Sequence, residues 1–342
     1  MFKYYKNLPK IELFIYSLYN KHMVTNDKSF LNIKDYLDLV TTREQTRAGF
    51  IAFALEKNRL STPVVEEAKI LRQLTSGAKM PRELLNFEKI RLPLLTAAGL
   101  SDKSLKYLTE NDRDKAIEEL IKNFLEPAGD KFVEEVVYRY LLVKGDSLGG
   151  SMRNLVGAFA QQKLVRALIT ILRFQGFEYE VLLSNSNNWS KVSNDDADIE
   201  KFIKAFYWKN KKENRILSFN LKIPIVRNNV DICLFSSDKE EYDLKKCINS
   251  PEKTIMLGEL KGGIDPAGAD EHWKTANTAL ERIRNAFKIK GYKVKTSFIG
   301  AAIENKMAEE IFAQLNNGTL TKAANMTKQN QLVDYCSWII SL

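Results

Sequence analysis

Apolar residues recur at helical spacing through the first 145 positions. Ile11, Leu13, Phe14, Tyr16, Leu18 and Tyr19 open one helix; Phe50, Phe53, Ala54 and Leu55 mark a second. Val64, Val65, Ala68, Ile70 and Leu71 mark a third, and Ile117, Leu120, Ile121 and Phe124 repeat the spacing. Between them, SGAKMP at 76–81 and EPAGD at 126–130 carry the Gly, Pro and Asp of turns. From Lys131 to about Leu142 another helix shows Phe132, Val136, Tyr140 and Val143 on one side. KGDSLGGSMRN, residues 144–154, reads as a Gly-rich loop ending at a helix start. A long amphipathic helix with Leu155, Phe159, Leu164, Leu168 and Leu172 follows and stops near Gly176.

Beyond that the period shortens. Phe177 to Leu183 is rich in aromatic and β-branched residues. Ile216 to Val226 alternates, Arg227-Asn228-Asn229 offers a turn, and Val230 to Phe235 runs apolar. Residues 236–253 form a polar, solvated connection, and Thr254 to Lys261 is a further strand. Ala269 to Lys290 is a helix with Trp273, Ala276, Leu280, Ile283 and Phe287 on one face, which reads as core. Val294 to Ile303 is a last strand, and Ile311, Leu315, Leu332, Tyr335 and Trp338 return the chain to helix. No repeat period is visible. This order predicts an α/β (α+β mixed) fold: a mixed central sheet flanked by helices over 131–342, preceded by a helical domain over 1–130.

Length and composition agree with that division. A chain of 342 residues fits about two domains, and 44% hydrophobic residues suffice for packed cores. No unbroken apolar run reaches the ~20 residues of a membrane span. MFKYYKNLPK lacks the apolar run of a signal peptide, so a soluble, intracellular (cytoplasmic) protein is expected. Three cysteines, Cys233, Cys247 and Cys336, are too few and scattered for a disulfide framework or a zinc site. Cys233 reads as a small buried thiol. The formal net charge of +9 favours anionic partners, although a Lys-rich composition alone is a weak pointer.

One constellation carries chemistry. Asp231 lies just inside a strand that follows a turn; Glu259 and Lys261 lie two apart at the end of another. Period 2 puts Glu259 and Lys261 on one face, and neighbouring strands would bring Asp231 beside them. Two hard carboxylates suit Mg²⁺, which also takes water and phosphate oxygens. Such an ion acidifies a bound water and offsets charge developing at phosphorus, while an ammonium positions the water. The bare pattern Asp…Glu-x-Lys is common, and a solvated strand end is its bland reading. Here both halves sit on apolar strands, Gly262-Gly263 follows at once, and IDPAGADEHW leads into an amphipathic helix. His272, in that cluster, is of a residue type able to take or orient a proton. A helix-start surface histidine is the competing reading. His22 is assigned no role.

On Asp231 in NNVDICLF, the run GELKGGIDPAGADEHWKTA from Gly258 to Ala276, and GDSLGGSMRN at 145–154, the sequence resembles the AvaI/BsoBI family of type II restriction endonucleases. The likeness covers roughly 130–310. It implies a PD-(D/E)xK core with a helical domain, in a homodimer wrapped around double-stranded DNA. It further implies Mg²⁺-dependent hydrolysis at CYCGRG or a relative, 5′-phosphate and 3′-hydroxyl ends, and a cognate DNA methyltransferase in the host. Carried over, Asp231 and Glu259 are metal ligands, Lys261 the catalytic amine, and His272 a residue at the attacking water. Asp265 is implied to read a base, as a carboxylate accepts from cytosine N4.

Other segments are more open. The glycines of GDSLGGSMRN and the helix start behind them could receive a phosphate, or Ser151 could simply cap the helix; Asp146 is a weaker candidate for assisting the metal site. Lys79, assigned to DNA binding, and Arg82 sit in the turn SGAKMPREL, where scattered surface charge is the competing reading. KAFYWKNKKENR, 204–215, mixes aromatics with Lys and could touch DNA backbone or be a solvated face. A repair or homing-type nuclease with the same core, or a catalytically silent DNA-binding protein, are the alternatives.

Overall fold

The computed structural model of the chain describes residues 33–193, 198–210 and 213–342. The helix expected around Ile11–Tyr19, and His22, lie outside the described residues.

Among the described residues, eight strands form one mixed sheet. They are β1 (Tyr179–Leu183), β2 (Trp189–Ser190), β3 (Ile203–Asn210), β4 (Glu213–Ile223), β5 (Asn228–Ser236), β6 (Thr254–Lys261), β7 (Lys295–Gly300) and β8 (Lys322–Asn325), in the order β2-β1-β3-β4-β5-β6-β7-β8. Pairing is antiparallel as far as β6 and parallel from β6 through β8. Alternation sorts the side chains onto two faces. Ala205, Ile216, Cys233, Phe235, Leu257 and Phe298 pack on one side against Trp273, Leu280 and Phe287 of α5 (Ala269–Ile289) and Ile311 of α6 (Asn305–Asn316). Phe206, Trp208, Leu217, Ile232, Leu234 and Met256 pack on the other. There they meet Leu164, Leu168 and Leu172 of α4 (Phe132–Phe174) and Leu332, Tyr335 and Ile339 of α7 (Gln329–Ser341). The two-sided burial explains why β5 and β6 read as near-continuous apolar runs.

A separate cluster lies under helices alone. Ala68 and Leu71 of α1 (Arg43–Thr75), Leu94 and Leu95 of α2 (Arg91–Ala97), Ile117 and Leu120 of α3 (Glu110–Leu120), and Phe132, Val136 and Tyr140 at the start of α4 form it. Both α1 and α4 therefore join the two regions. The start of α1 is tied to the sheet region, because Thr41 N donates to the Ile303 carbonyl at 2.9 Å and Leu39 is buried in the first layer. Leu155–Phe174 alone among the described helices has the length and apolarity of a membrane span, and its Leu164, Leu168 and Leu172 are buried against the sheet.

Three expectations need correction. The second and third helices are one helix of 33 residues with Pro63 inside it. Residues 144–154 are not a loop but the middle of α4. Each interior glycine costs roughly 1 kcal/mol against alanine, yet both ends of α4 are fixed by burial, and the chain between stays helical. No helix start lies there to receive a phosphate, and Ser151 is no cap: its Oγ donates to the Ser147 carbonyl one turn back, at 3.0 Å. Lastly, 204–210 belongs to β3, with Phe206 and Trp208 wholly buried, so those aromatics do not face a nucleic acid.

Candidate active site

β5 and β6 are neighbours. Ile232 pairs with Gly258 and Cys233 with Leu257, so one further step of the antiparallel register sets Asp231 opposite Glu259. Odd-numbered residues of β6 point to the α5 face, as Leu257 does. Glu259 and Lys261 share that face, and Lys261 Nζ donates to Glu259 Oε2 at 2.8 Å. It also reaches Asp231 Oδ2 at 3.3 Å, and that oxygen accepts from the Leu260 backbone N–H at 2.9 Å. The carboxylate of β5 is thus pinned to the backbone of β6, between Glu259 and Lys261.

The three side chains differ in exposure. Asp231 and Lys261 are 27% and 23% exposed, whereas Glu259 is only 6% exposed. A strand-end site open at the rim describes the first two and not the third. Burial pushes the Glu259 carboxyl up to about 7, with the Asp231 carboxylate adding to the rise and the Lys261 ammonium opposing it. Burial alone would lower Lys261, but Glu259 and Asp231 outweigh it and hold the ammonium above the ordinary lysine value. Two carboxylates drawn to one cationic nitrogen are a hard-oxygen pair of the kind Mg²⁺ accepts. Among the described residues no third His, Cys, Asp or Glu joins them. A cation there would complete its shell with water and phosphate oxygens, as Mg²⁺ does.

The chain then runs through Gly262 and Gly263 to α5. Asp265 Oδ1 accepts from the Ala267 N–H at 3.0 Å, capping the single turn Pro266–Gly268. Its side chain is exposed, and this local bond aims it. His272 is exposed at the start of α5, its ring edge against the glycine loop: a Cβ on Gly263 or Gly268 would lie 3.3 or 3.4 Å from the His272 Nε2. It makes no hydrogen bond to Asp231, Glu259 or Lys261 among the described residues. Lys79 lies far along the chain in the exposed turn after α1, where its backbone N–H donates to Glu83 Oε2 at 2.7 Å. Neighbouring Arg82 is engaged with Glu126 at 2.6 Å.

Sequence reasoning missed the support behind the site. The Lys261 carbonyl accepts from the Ala301 N–H at 2.9 Å. Gly258 backs onto Ser297, where a Cβ would lie 2.4 Å from Oγ, and that hydroxyl bonds the Tyr335 hydroxyl at 2.8 Å. Strand pairing between distant segments creates these contacts, and no local pattern announces them.

A mixed α/β chain of this kind matches the family model described as "Restriction endonuclease BsobI" over residues 29–342, which places it in the class of site-specific restriction endonucleases, hydrolases that cut DNA. The chain belongs to the BsobI restriction endonuclease family. It is 53% identical to the type II restriction enzyme BsoBI of Geobacillus stearothermophilus over 323 residues, 93% of this chain and 100% of the relative. It is 49% identical to the type II restriction enzyme AvaI of a Nostoc strain over 324 residues, 95% of this chain and 99% of the relative. An AvaI from Anabaena variabilis matches equally, at 49% over 324 residues.

Proposed function

We propose that Asp231, Glu259 and Lys261 form the cutting centre of this endonuclease, in a PD-(D/E)xK core, with Mg²⁺ held by Asp231 and Glu259. The observation that carries this reading is the meeting of two carboxylates from adjacent strands at one ammonium, 3.3 and 2.8 Å away. A divalent ion bound there supplies Lewis acidity to water and phosphate. Lys261 would hold the attacking water and steady charge on the phosphate oxygens. Glu259, buried, is a ligand whose charge the ion offsets. His272, on the glycine loop, orients the water from the open side.

Specificity is assigned to the flanking elements. Asp265 offers its free oxygen to a base edge, and Lys79 offers its amine to a phosphate or groove from the helical region. The division at about residue 130 gives a helical unit that wraps duplex DNA and a sheet unit that cuts it. Two such chains form a homodimer, so that both strands of a near-palindromic site are cut. The site proposed is CYCGRG or a relative, cut to leave 5′-phosphate and 3′-hydroxyl ends. The host, a bacterial cell with the enzyme in its cytoplasm, then carries a methyltransferase for the same site.

Digestion of a sequenced phage DNA in Mg²⁺, with fragment ends sequenced, tests the whole. Discrete fragments ending in CYCGRG support class, chemistry and specificity together. Discrete fragments with another motif retain the chemistry and refute the site. Absence of cutting in Mg²⁺ and in Mn²⁺ by a folded, DNA-binding protein refutes the cutting centre.

A further inference from the structure

The chain leaving the site is seated directly on the two long helices. A Cβ on Gly262, next to Lys261, would lie 2.5 Å from the Ala160 Cβ and 2.7 Å from the Val156 carbonyl oxygen of α4. Two residues on, Ile264 meets α1: a Cβ on Gly49 would lie 2.3 Å from its Cγ1. Side chains do not fit at such distances in a close-packed interior. A third link approaches from behind. The Lys261 carbonyl accepts from Ala301 N–H at 2.9 Å, and the Ala301 carbonyl accepts from Thr41 Oγ1 at 2.8 Å. Thr41 precedes Thr42, the residue that caps α1. The far ends of both helices lie in the other cluster, through Ala68 and Leu71 of α1 and Phe132, Val136 and Tyr140 of α4.

Gly49 stands inside a helix, where alanine would ordinarily be the better residue. What forbids alanine there is Ile264. We propose that Gly49 and Gly262 are positioning residues: they seat α1 and α4 on residues 262–264, so that the placement of the helical region sets the position of Lys261. Neither touches the reacting atoms. The inference rests on the assignment of Lys261 made above. Its consequence is that the cutting centre is correctly set only when the helices are correctly placed, which couples DNA engagement to cleavage through two contacts and a two-bond hydrogen-bond chain.

The test compares full-length Gly49→Ala, Ile264→Ala, the double variant and Lys261→Ala with the native protein. Single-turnover cleavage in Mg²⁺, metal-free affinity for a duplex bearing a site mapped by digestion, and thermal melting are read for each. Gly49→Ala should slow cutting on the order of 10–100-fold with affinity within about 3-fold of native, the signature of misplacement. Ile264→Ala should slow cutting too, because it removes the seat. The double variant should recover to within about 3-fold of the native rate, since the new methyl takes space that Ile264 vacated. A merely structural role would lower rate, affinity and melting together and leave the double variant no better than either single change; that result overturns the proposal. Native cutting by both single variants also overturns it and leaves Lys261 in place, whereas native cutting by Lys261→Ala overturns the site beneath it. If Gly49→Ala does not fold, Ile264→Ala decides alone: slow cutting with native affinity supports the seating, and any other pattern refutes it.

Discussion

β5 and β6 are covered on both faces, with Ile232, Leu234 and Met256 in one layer and Cys233, Phe235 and Leu257 in the other. The stretch of α1 from Arg43 to Glu67 contains no buried residue at all, and Phe50, Ile51 and Leu55 stand 44%, 58% and 66% exposed. The strands hold their shape by burial along most of their length. The helix is held at its ends, and Gly49 meets Ile264 beside the site. A site built on the first kind of element inherits rigidity, as catalytic geometry requires. Elements of the second kind contribute through single contacts, and most of their surface should tolerate change.

Five substitutions break or sharpen that contrast. The largest effect is expected for Lys261→Ala, which removes the amine without disturbing the layers beneath. Cleavage should fall on the order of 10³-fold in single-turnover assays, as for loss of one preorganised transition-state donor, with DNA affinity retained. Next is Trp273→Ala. That ring is buried, lies 5.1 Å from the Phe298 ring edge-on, and donates to Glu310 at 2.7 Å. Its loss should cost about 3–5 kcal/mol in denaturant unfolding, whereas Ile51→Ala on α1 should stay within about 0.5 kcal/mol. A large loss at Ile51 that deepened on dilution would break the contrast by showing that a second copy covers that face.

Glu259→Gln comes third and probes what the burial of β6 costs the site. An acid whose folded-state value is raised holds its proton more tightly when folded. The metal-free protein should therefore lose stability as pH rises from about 4.5, the ordinary value, to about 7, with the penalty complete above that. The glutamine variant lacks this titration. It should gain on the order of 2 kcal/mol relative to native between pH 5 and pH 8, read by melting in a chelator. Parallel pH curves for the two proteins would contradict the raised value.

The same contrast explains what the sequence makes legible. β6 and α5 are readable almost to the residue, because burial on both faces of β6 and on one face of α5 writes a period directly into Thr254–Lys261 and into Trp273, Leu280 and Phe287. Glu259 and Lys261 share a face by period alone. That Asp231 joins them depends on β5 and β6 being neighbours, which apolar runs permit but do not dictate. The bridging helices are legible poorly. Pro63 and the glycines at 145, 149 and 150 read as breaks, since local propensity is the only signal where nothing is buried, and tertiary anchoring at distant ends overrides it. β3 is obscured by its lysines: exposed Lys204 and Lys209 flank buried Phe206 and Trp208, a mixture that looks like a basic aromatic patch.

The last substitution tests that override in its own terms. Gly149 lies inside α4 with nothing within 4 Å of where a Cβ would stand. Alanine there meets no neighbour and loses less backbone freedom on folding, so Gly149→Ala should stabilise the protein by about 1 kcal/mol. For a chain of this size that raises the melting temperature by roughly 1–2 °C. Cleavage should be unchanged, because this stretch of α4 does not reach residues 262–264. The identical substitution at Gly49 is expected to have the opposite sign, since Ile264 occupies the space and the chain behind it leads to Lys261. Two half-buried glycines in two helix interiors, equal in propensity, thus separate into one that is only a cost to the helix and one that holds a contact. If Gly149→Ala destabilised instead, residues 144–154 would need a conformation that alanine resists, and α4 would not be a continuous strut between the two regions.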